Sequence, residues 1–594
     1  MSDLLDGLND AQKDAVTHTD GPLLIVAGAG TGKTTVLTRR YGYLLQKCGV
    51  TTDNLLALTF TEKAAGEMED RVIALLPSGT YDFWISTFHG FCQRVLERHG
   101  LEIGLPNEFR LLSPTDAWLL LRRRFDELPL DHFRPLGYPI KFLRALIQHI
   151  SRAKDEGITP ERYAEFALNA QLDMDAETAE GERKRLKELS DLYFAYRRML
   201  LEEGCLDFGD LILETLRLFR ERPAALEQYR RQFRYLMVDE FQDTNWAQYE
   251  LLKLLAGKER HLTVVGDDDQ AVYKFRGASL ANILQFRDDF PDAKTVSLTK
   301  NYRSRAEILM LASEFIKKND PNRLESRLKE AGLSKILEAE NGGGGFVQVL
   351  WERSVDEEAE AVVRQIKKTK DQEANGSWND FAILVRSNDT AHPFVRALEQ
   401  QKIPYQFLAL RGLYAKPVVL DVVALLSLAN GSRESSVAWR AFGLPCYGLQ
   451  AGDIAALAHA SQRRGFTLWD ALFDASRGII EGLRPDAVKA ATSMVHQIDG
   501  LAELARRAMP LQVFLEALEK TGYLAMLMKT SEQERRESIQ YLNAFADRLK
   551  RYESGTHAPS LRDFLEEHRL EIESGDEGGL DMDPDAGPEM VKIL

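Results

Sequence analysis

The sequence predicts an α/β protein: parallel sheets with crossover helices, interrupted by two helical insertions. Three observations carry this. Short, almost wholly apolar runs recur at Leu23–Ala27, Leu55–Phe60, Trp84–Thr87, Tyr235–Val238, Leu262–Val265 and Thr295–Leu298, as expected of strands covered on both faces. The segments between them carry helical spacing, so the strands are joined by crossovers. Residues 98–190 and 392–572 break the alternation with long helical patterns rich in Arg, Leu and Glu.

In chain order, residues 1–97 read as the first part of an α/β domain and 98–190 as a helical insertion. Residues 191–282 read as the second part of that domain. A second α/β domain follows over 283–391. There a glycine run, Gly342–Gly345, precedes strand-like Phe346–Leu350, and Phe381–Val385 gives another strand. Residues 392–572 form the second helical insertion. Residues 573–594 read as an acidic linker rich in Gly and Pro, ending in Val591–Leu594, the opening of a strand.

With 594 residues, several domains are expected. Hydrophobic residues make up 44% and charged residues 28%, which fits a folded, soluble protein rather than a disordered one. The net charge of -15 excludes a protein coated in basic charge, but a locally positive groove is compatible with it. The four cysteines, Cys48, Cys92, Cys205 and Cys446, are scattered, so neither a disulfide framework nor a zinc site is expected. The acidic first ten residues lack a signal-peptide core. The most apolar stretch, Val418–Ala429, is too short to span a bilayer and contains Asp421. No membrane association and a cytoplasmic location are therefore expected.

Four segments carry chemistry. Ala27-Gly28-Ala29-Gly30-Thr31-Gly32-Lys33-Thr34 follows a strand and opens a helix, the setting of a phosphate-binding loop. Small residues let backbone N–H groups wrap phosphates, and the helix N-terminus adds positive potential. Lys33 is placed to reach the β- and γ-phosphates and Thr34 to bind Mg²⁺. Asp239-Glu240 end the run Tyr235–Val238; one carboxylate there can hold Mg²⁺ and the other can orient the attacking water. Asp267-Asp268-Asp269-Gln270 end a third strand, and Gln270 is a candidate for the γ-phosphate or its water. Asn301-Tyr302-Arg303-Ser304 follow a fourth. Tyr302 is a candidate for base stacking and Arg303 for stabilising charge on the transferring phosphoryl group. Taken singly, a Gly-rich turn, a solvated strand end or an Arg-Ser surface contact accounts for each segment. Their order and setting give them weight.

Together these segments resemble those of the UvrD/Rep/PcrA-type superfamily 1 helicases, across nearly the whole chain. Leu8–Gln12 resembles the Q motif, Ala27–Thr34 motif I, Ala57–Ala65 motif Ia, and Ser86–Gly90 the next. Leu206–Leu211 resembles the DFxDL element, Val238–Thr244 motif II, Val265–Ala278 motif III, and Leu298–Ser304 motif IV. The resemblance implies two RecA-like P-loop domains, each with a helical insertion, using ATP and Mg²⁺. It implies 3′ to 5′ movement on single-stranded DNA and unwinding at duplex junctions, in repair or replication. Gln12 is then the adenine reader, and Thr35 joins Ala27–Thr34, Tyr302 and Arg303 around the nucleotide. The implied DNA contacts are Thr59, Phe60, Phe88, His89, Tyr273, Phe275 and Arg276, with aromatics stacking on bases at roughly 1–3 kcal/mol each. Core packing is the alternative for Phe60 and Phe88. Phe275 stands where relatives often carry Trp, and Thr35 where they often carry Arg.

The family's later KGLEF-like segment and final arginine have no counterpart here, and Glu589–Leu594 match only the lead-in. The expectation is an incomplete second domain with an open sheet edge, and hydrolysis impaired for want of a group that supplies roughly 10³–10⁵ in rate. Two other readings stay open: a non-motor ATP- and DNA-binding protein, and a fragment of a helicase–nuclease subunit.

Overall fold

The computed structural model describes residues 4–594 except 78–81, 107, 172, 174, 259–260, 272–279, 322, 328–333, 373–375, 408–411, 557, 575, 577 and 580–588. The chain forms two compact units, Met1–Gln348 and Val349–Leu594. Among the described residues, no helix is long and apolar enough to cross a membrane.

The first unit is built on a six-stranded sheet. Its strands are β1 (Leu23–Ala27), β2 (Leu55–Thr59), β3 (Trp84–Thr87), β6 (Tyr235–Val238), β7 (Leu262–Gly266) and β8 (Lys294–Leu298), in the order β3-β2-β6-β7-β1-β8. Every pairing is parallel. Side chains alternate between two buried layers, as the two-residue period of a strand requires. Leu24, Val26, Leu56, Leu58, Leu236, Val238 and Val264 enter one. Leu23, Ile25, Ala27, Leu55, Ala57, Tyr235, Met237 and Val265 enter the other. Burial on both faces is why the sequence shows continuous apolar runs there rather than alternation.

Strand β8 corrects the division expected from sequence. Residues 294–298, assigned to a second α/β domain beginning at 283, pair with β1 in the first sheet. The reason is visible in Lys294-Thr295-Val296-Ser297-Leu298: only Val296 and Leu298 are buried, the half-apolar pattern of an edge strand. After it, β9 (Lys300–Asn301) pairs with β10 (Glu338–Ala339).

The first insertion contains helices Pro114–Arg123, Leu143–Asp155, Pro160–Asn169 and Ala176–Glu202. Three begin on side-chain caps, from Ser113, Thr159 and Asp175, which satisfy orphan N–H groups. The insertion is not purely helical, since β4 (Arg110–Leu112) pairs with β5 (Cys205–Asp207). This short ladder ties the start of the insertion to the chain just beyond its last helix.

In the second unit, β11 (Ala382–Ile383), β12 (Tyr405–Phe407) and β13 (Val591–Ile593) form a parallel sheet with β13 in the middle. The strand expected at Phe346–Leu350 is absent. Those residues pair with no described strand, and Phe346 and Val349 are 77% and 81% exposed; β-forming composition without a ladder partner does not make a strand. Helix Pro417–Ala429, the most apolar stretch of the chain, is the hub of a helical core with Leu472, Ile498, Phe514 and Phe545. The linker expected over 573–589 lies largely outside the described residues.

Candidate nucleotide site and strand-end face

Because the first sheet is parallel throughout, the C-terminal ends of all six strands share one edge. Open α/β sheets bind ligands there. The loop 28–32 leaves β1, Asp239-Glu240 leave β6, Asp267–Gln270 leave β7, and Asn301–Arg303 follow β8. Thr59-Phe60 leave β2 and Phe88-His89 leave β3, further along the same edge.

In the loop, Gly30 and Gly32 have φ of +73° and +87°, the left-handed region that favours glycine. Both are closely packed as well. A Cβ at Gly30 would lie 2.6 Å from the Arg303 Cβ, and one at Gly32 2.9 Å from Gln12 Nε2. The Thr31 hydroxyl donates to the Gly28 carbonyl at 2.8 Å. Lys33 opens the helix Lys33–Lys47, and its Nζ lies 2.6 Å from Glu240 Oε2 and 3.4 Å from Gln270 Oε1. Thr34, half-buried, follows it, and Thr35 is exposed. Gln12 is buried, with Nε2 donating to Thr31 O at 3.0 Å and Oε1 accepting from Asn9 N at 3.0 Å. Both ends of its carboxamide are thus held within the protein.

Glu240 sits at φ 47°, a left-handed conformation uncommon for a residue with a Cβ. Its carboxylate also accepts from Gln242 Nε2 at 2.8 Å, while Gln242 Oε1 accepts from Asp267 N at 3.0 Å. Gln242 therefore ties the end of β6 to the end of β7. Burial, with help from Glu240, pushes the Asp239 carboxyl up to about 6. Burial and Glu240 also push Asp243 up to about 6, and its Oδ1 is buried with no hydrogen-bond partner among the described residues. Three carboxyls around one ammonium leave an excess of negative charge. A divalent cation held by Asp239 and Thr34 fits that excess and that orphaned oxygen.

Asp267, Asp268 and Asp269 converge within 4.8 Å of one another, but protein cations already neutralise them. Lys335 Nζ lies 2.5–2.6 Å from all three. Arg323 donates to both oxygens of Asp269 at 2.8 and 2.7 Å. Gln270 Nε2 donates to Asp267 Oδ2 at 2.5 Å, so this network also orients Gln270.

Asn301 locks the segment after β8 onto the loop. Its Nδ2 donates to Ala29 O at 2.6 Å, and its Oδ1 accepts from Arg303 N and Ser304 N at 2.9 and 2.7 Å. Tyr302 N donates to Gly30 O at 2.9 Å, and the Tyr302 hydroxyl accepts from Asn9 Nδ2 at 3.0 Å. The Arg303 side chain is exposed beside the loop. Sequence reasoning missed Asn301 and Gln242. Each is a carboxamide just beyond a strand end, the signal that drew attention to Gln270.

The DNA candidates divide. Phe88 is 1% exposed within the core, so the stacking role does not hold for it: its ring has no free face. Thr59 is 2% exposed. Phe60 is half-buried with its ring 6.0 Å from Phe88. His89 is half-buried and meets the exposed ring of Phe208 edge-on at 5.6 Å. Burial lowers the His89 pKa, which favours neutral imidazole. Tyr273, Phe275 and Arg276 lie outside the described residues.

Comparison with known proteins agrees with this layout. Residues 8–291 match the UvrD/REP helicase N-terminal domain, and 296–583 match the UvrD-like helicase C-terminal domain. The ATP-dependent DNA helicase PcrA of Staphylococcus epidermidis is 34% identical over 569 residues, covering 95% of this chain and 73% of the relative. PcrA of Staphylococcus aureus is 34% identical over 570 residues, with the same two shares. A glycine loop braced by Asn301 from beyond β8, with both domain models matched in sequence order, has one consistent reading: the chain belongs to the UvrD-like helicase family.

Proposed function

We propose that the protein is an ATP-driven motor that moves 3′ to 5′ on single-stranded DNA and opens duplex at junctions. The observation that most supports it is the ring of Lys33, Glu240, Gln270 and Asn301–Arg303 around one phosphate-binding loop. In this reading Lys33 exchanges its carboxylate partner for the β- and γ-phosphates. Mg²⁺, held by Thr34 and Asp239, supplies charge neutralisation at the phosphates. Glu240, released from Lys33, orients and deprotonates the attacking water, with Gln270 beside it. Arg303 meets developing charge on the transferring group. Gln12, Tyr302 and Thr35 border the base and sugar. Phe60 and His89 contribute to the DNA path, with Tyr273, Phe275 and Arg276. The first RecA-like domain comprises 1–97 and 191–282 and extends through β8; the second follows it, and 98–190 and 392–572 are their insertions.

The test is ATP hydrolysis by the 594-residue chain with and without single-stranded DNA, followed by strand displacement on substrates with 3′ or 5′ tails. Lys33→Ala is expected to abolish DNA-stimulated hydrolysis, a loss of at least about 100-fold given the electrostatic role assigned to Lys33. Equal turnover by this variant, or displacement only from 5′ tails, would falsify the assignment.

A further inference from the structure

The helix Leu143–Asp155 of the first insertion ends in a turn that holds two parts of the α/β block at once. Lys154 is buried there, with Nζ 2.7 Å from Asp207 Oδ2 and 2.6 Å from Asp210 Oδ1. The Tyr196 hydroxyl donates to Asp207 Oδ2 at 2.9 Å. Asp207 in turn caps the helix Phe208–Glu221 by accepting from Asp210 N at 2.9 Å. Gly209 gives Lys154 room to pass, since a Cβ there would stand 2.8 Å from Lys154 Cδ. The first residue of the capped helix, Phe208, is the one that packs against His89.

The other side of the turn faces the segment after Asp239-Glu240. Asp155 Oδ1 accepts from Asn245 Nδ2 at 2.9 Å. Gly157, at φ +67°, lies so close to Trp246 that a Cβ would be 2.1 Å from its ring. Asn245 is the N-cap of the helix Trp246–Ala256 and follows Thr244 directly. Asn282 Nδ2 fixes that junction by donating to Thr244 O and Asn245 O at 2.9 and 3.1 Å.

We propose that the Lys154–Gly157 turn is a positioning element through which the His89 face and the Asp239-Glu240 segment sense each other. Single-strand occupancy at the one then alters nucleotide affinity at the other. The inference rests on the function proposed above. Its physical basis is a short path of hydrogen bonds, ion pairs and one ring contact, the kind of contiguous network that carries coupling between sites. Lys154 cannot leave Asp207 and Asp210 without stranding buried charge, so its end of the path is rigid. Asp155 is the weak link, a single hydrogen bond that touches neither face.

The test measures the affinity of the 594-residue chain for a fluorescent ADP analogue with Mg²⁺, with and without saturating oligo-dT. The parent is expected to show a ratio of at least about 5 between the two constants. Asp155→Ala is expected to bring that ratio to within about 2-fold of unity, leaving the DNA-free constant within about 2-fold of the parent's. Asp155→Asn, whose carbonyl still accepts from Asn245, is expected to restore the ratio. Should alanine unfold the chain, Asp155→Ser makes the same cut with a polar side chain. The proposal is overturned by a parent ratio of one, by an unchanged ratio in the alanine or serine variant, or by an asparagine variant that behaves like them. Failure of the nucleotide site itself reads out separately, as Lys33→Ala binding the analogue as tightly as the parent.

Discussion

Gly30 shows how much one position can carry. Its φ of +73° excludes most side chains, and the Arg303 Cβ fills the space where a methyl group would go. Gly30→Ala is expected to strain the loop by about 1–3 kcal/mol and to push the Asn301–Arg303 segment off it. The expected result is nucleotide affinity lowered at least about 10-fold, read by titration with the same fluorescent analogue. His568, in the second unit, is a residue of another kind. It is buried against Tyr414, Phe545 and Phe564, and neither ring nitrogen has a hydrogen-bond partner among the described residues. Burial, then Arg548, lowers its pKa to about 4. The unfolded chain therefore binds this proton first as pH falls below about 6.5, and stability is lost between there and pH 4. The loss reaches about 2 kcal/mol by pH 5. His568→Phe is expected to shrink the fall in melting temperature between pH 7 and pH 5. An unchanged fall would mean that the acid sensitivity lies elsewhere.

At the scale of elements, legibility in the sequence followed burial. Five of the six strands of the first sheet were readable because nearly continuous apolar runs of four to six residues have few other uses in a crossover fold; the half-apolar β8 was readable as a strand but not as a member of that sheet. The short strands β4, β5 and β12 have three residues each, too few to show a period. Phe346–Leu350 had the composition of a strand, but composition does not reveal whether a neighbour is present to pair with. The site was legible in the same uneven way. Lys33, Asp239, Glu240, Gln270 and Arg303 announce themselves by following strands. The Asn245–Asp155 bond joins residues 90 positions apart with no local pattern to flag it. Helix Ala306–Ile316 is a second element whose composition misleads: it is strongly apolar yet has no buried residue, with Met310 and Phe315 65% and 66% exposed. Met310→Lys and Phe315→Lys are accordingly expected to change the stability of this chain by no more than about 0.5 kcal/mol each, measured by thermal melting. A larger loss would show that the face is covered in solution.

On the scale of the whole molecule, each unit has its own core, and the extended stretch around Phe346–Trp351 links the two. Phe346 and Trp351 are 77% and 91% exposed, ready sites for chymotrypsin. Brief digestion is expected to give two protected products close to residues 1–348 and 349–594, identified by mass. Rapid degradation of either one would show that its core does not hold alone.

Strand β13 sits between β11 and β12, yet residues 408–590 separate it from the nearer of them along the chain. On the ribosome, then, the flanking strands emerge and wait without their shared neighbour while the whole helical insertion is being made. That interval favours an insertion able to settle by itself, and it delays closure of the small sheet. A translation arrest placed before codon 591 would catch the nascent polypeptide with its helices formed and that layer still open.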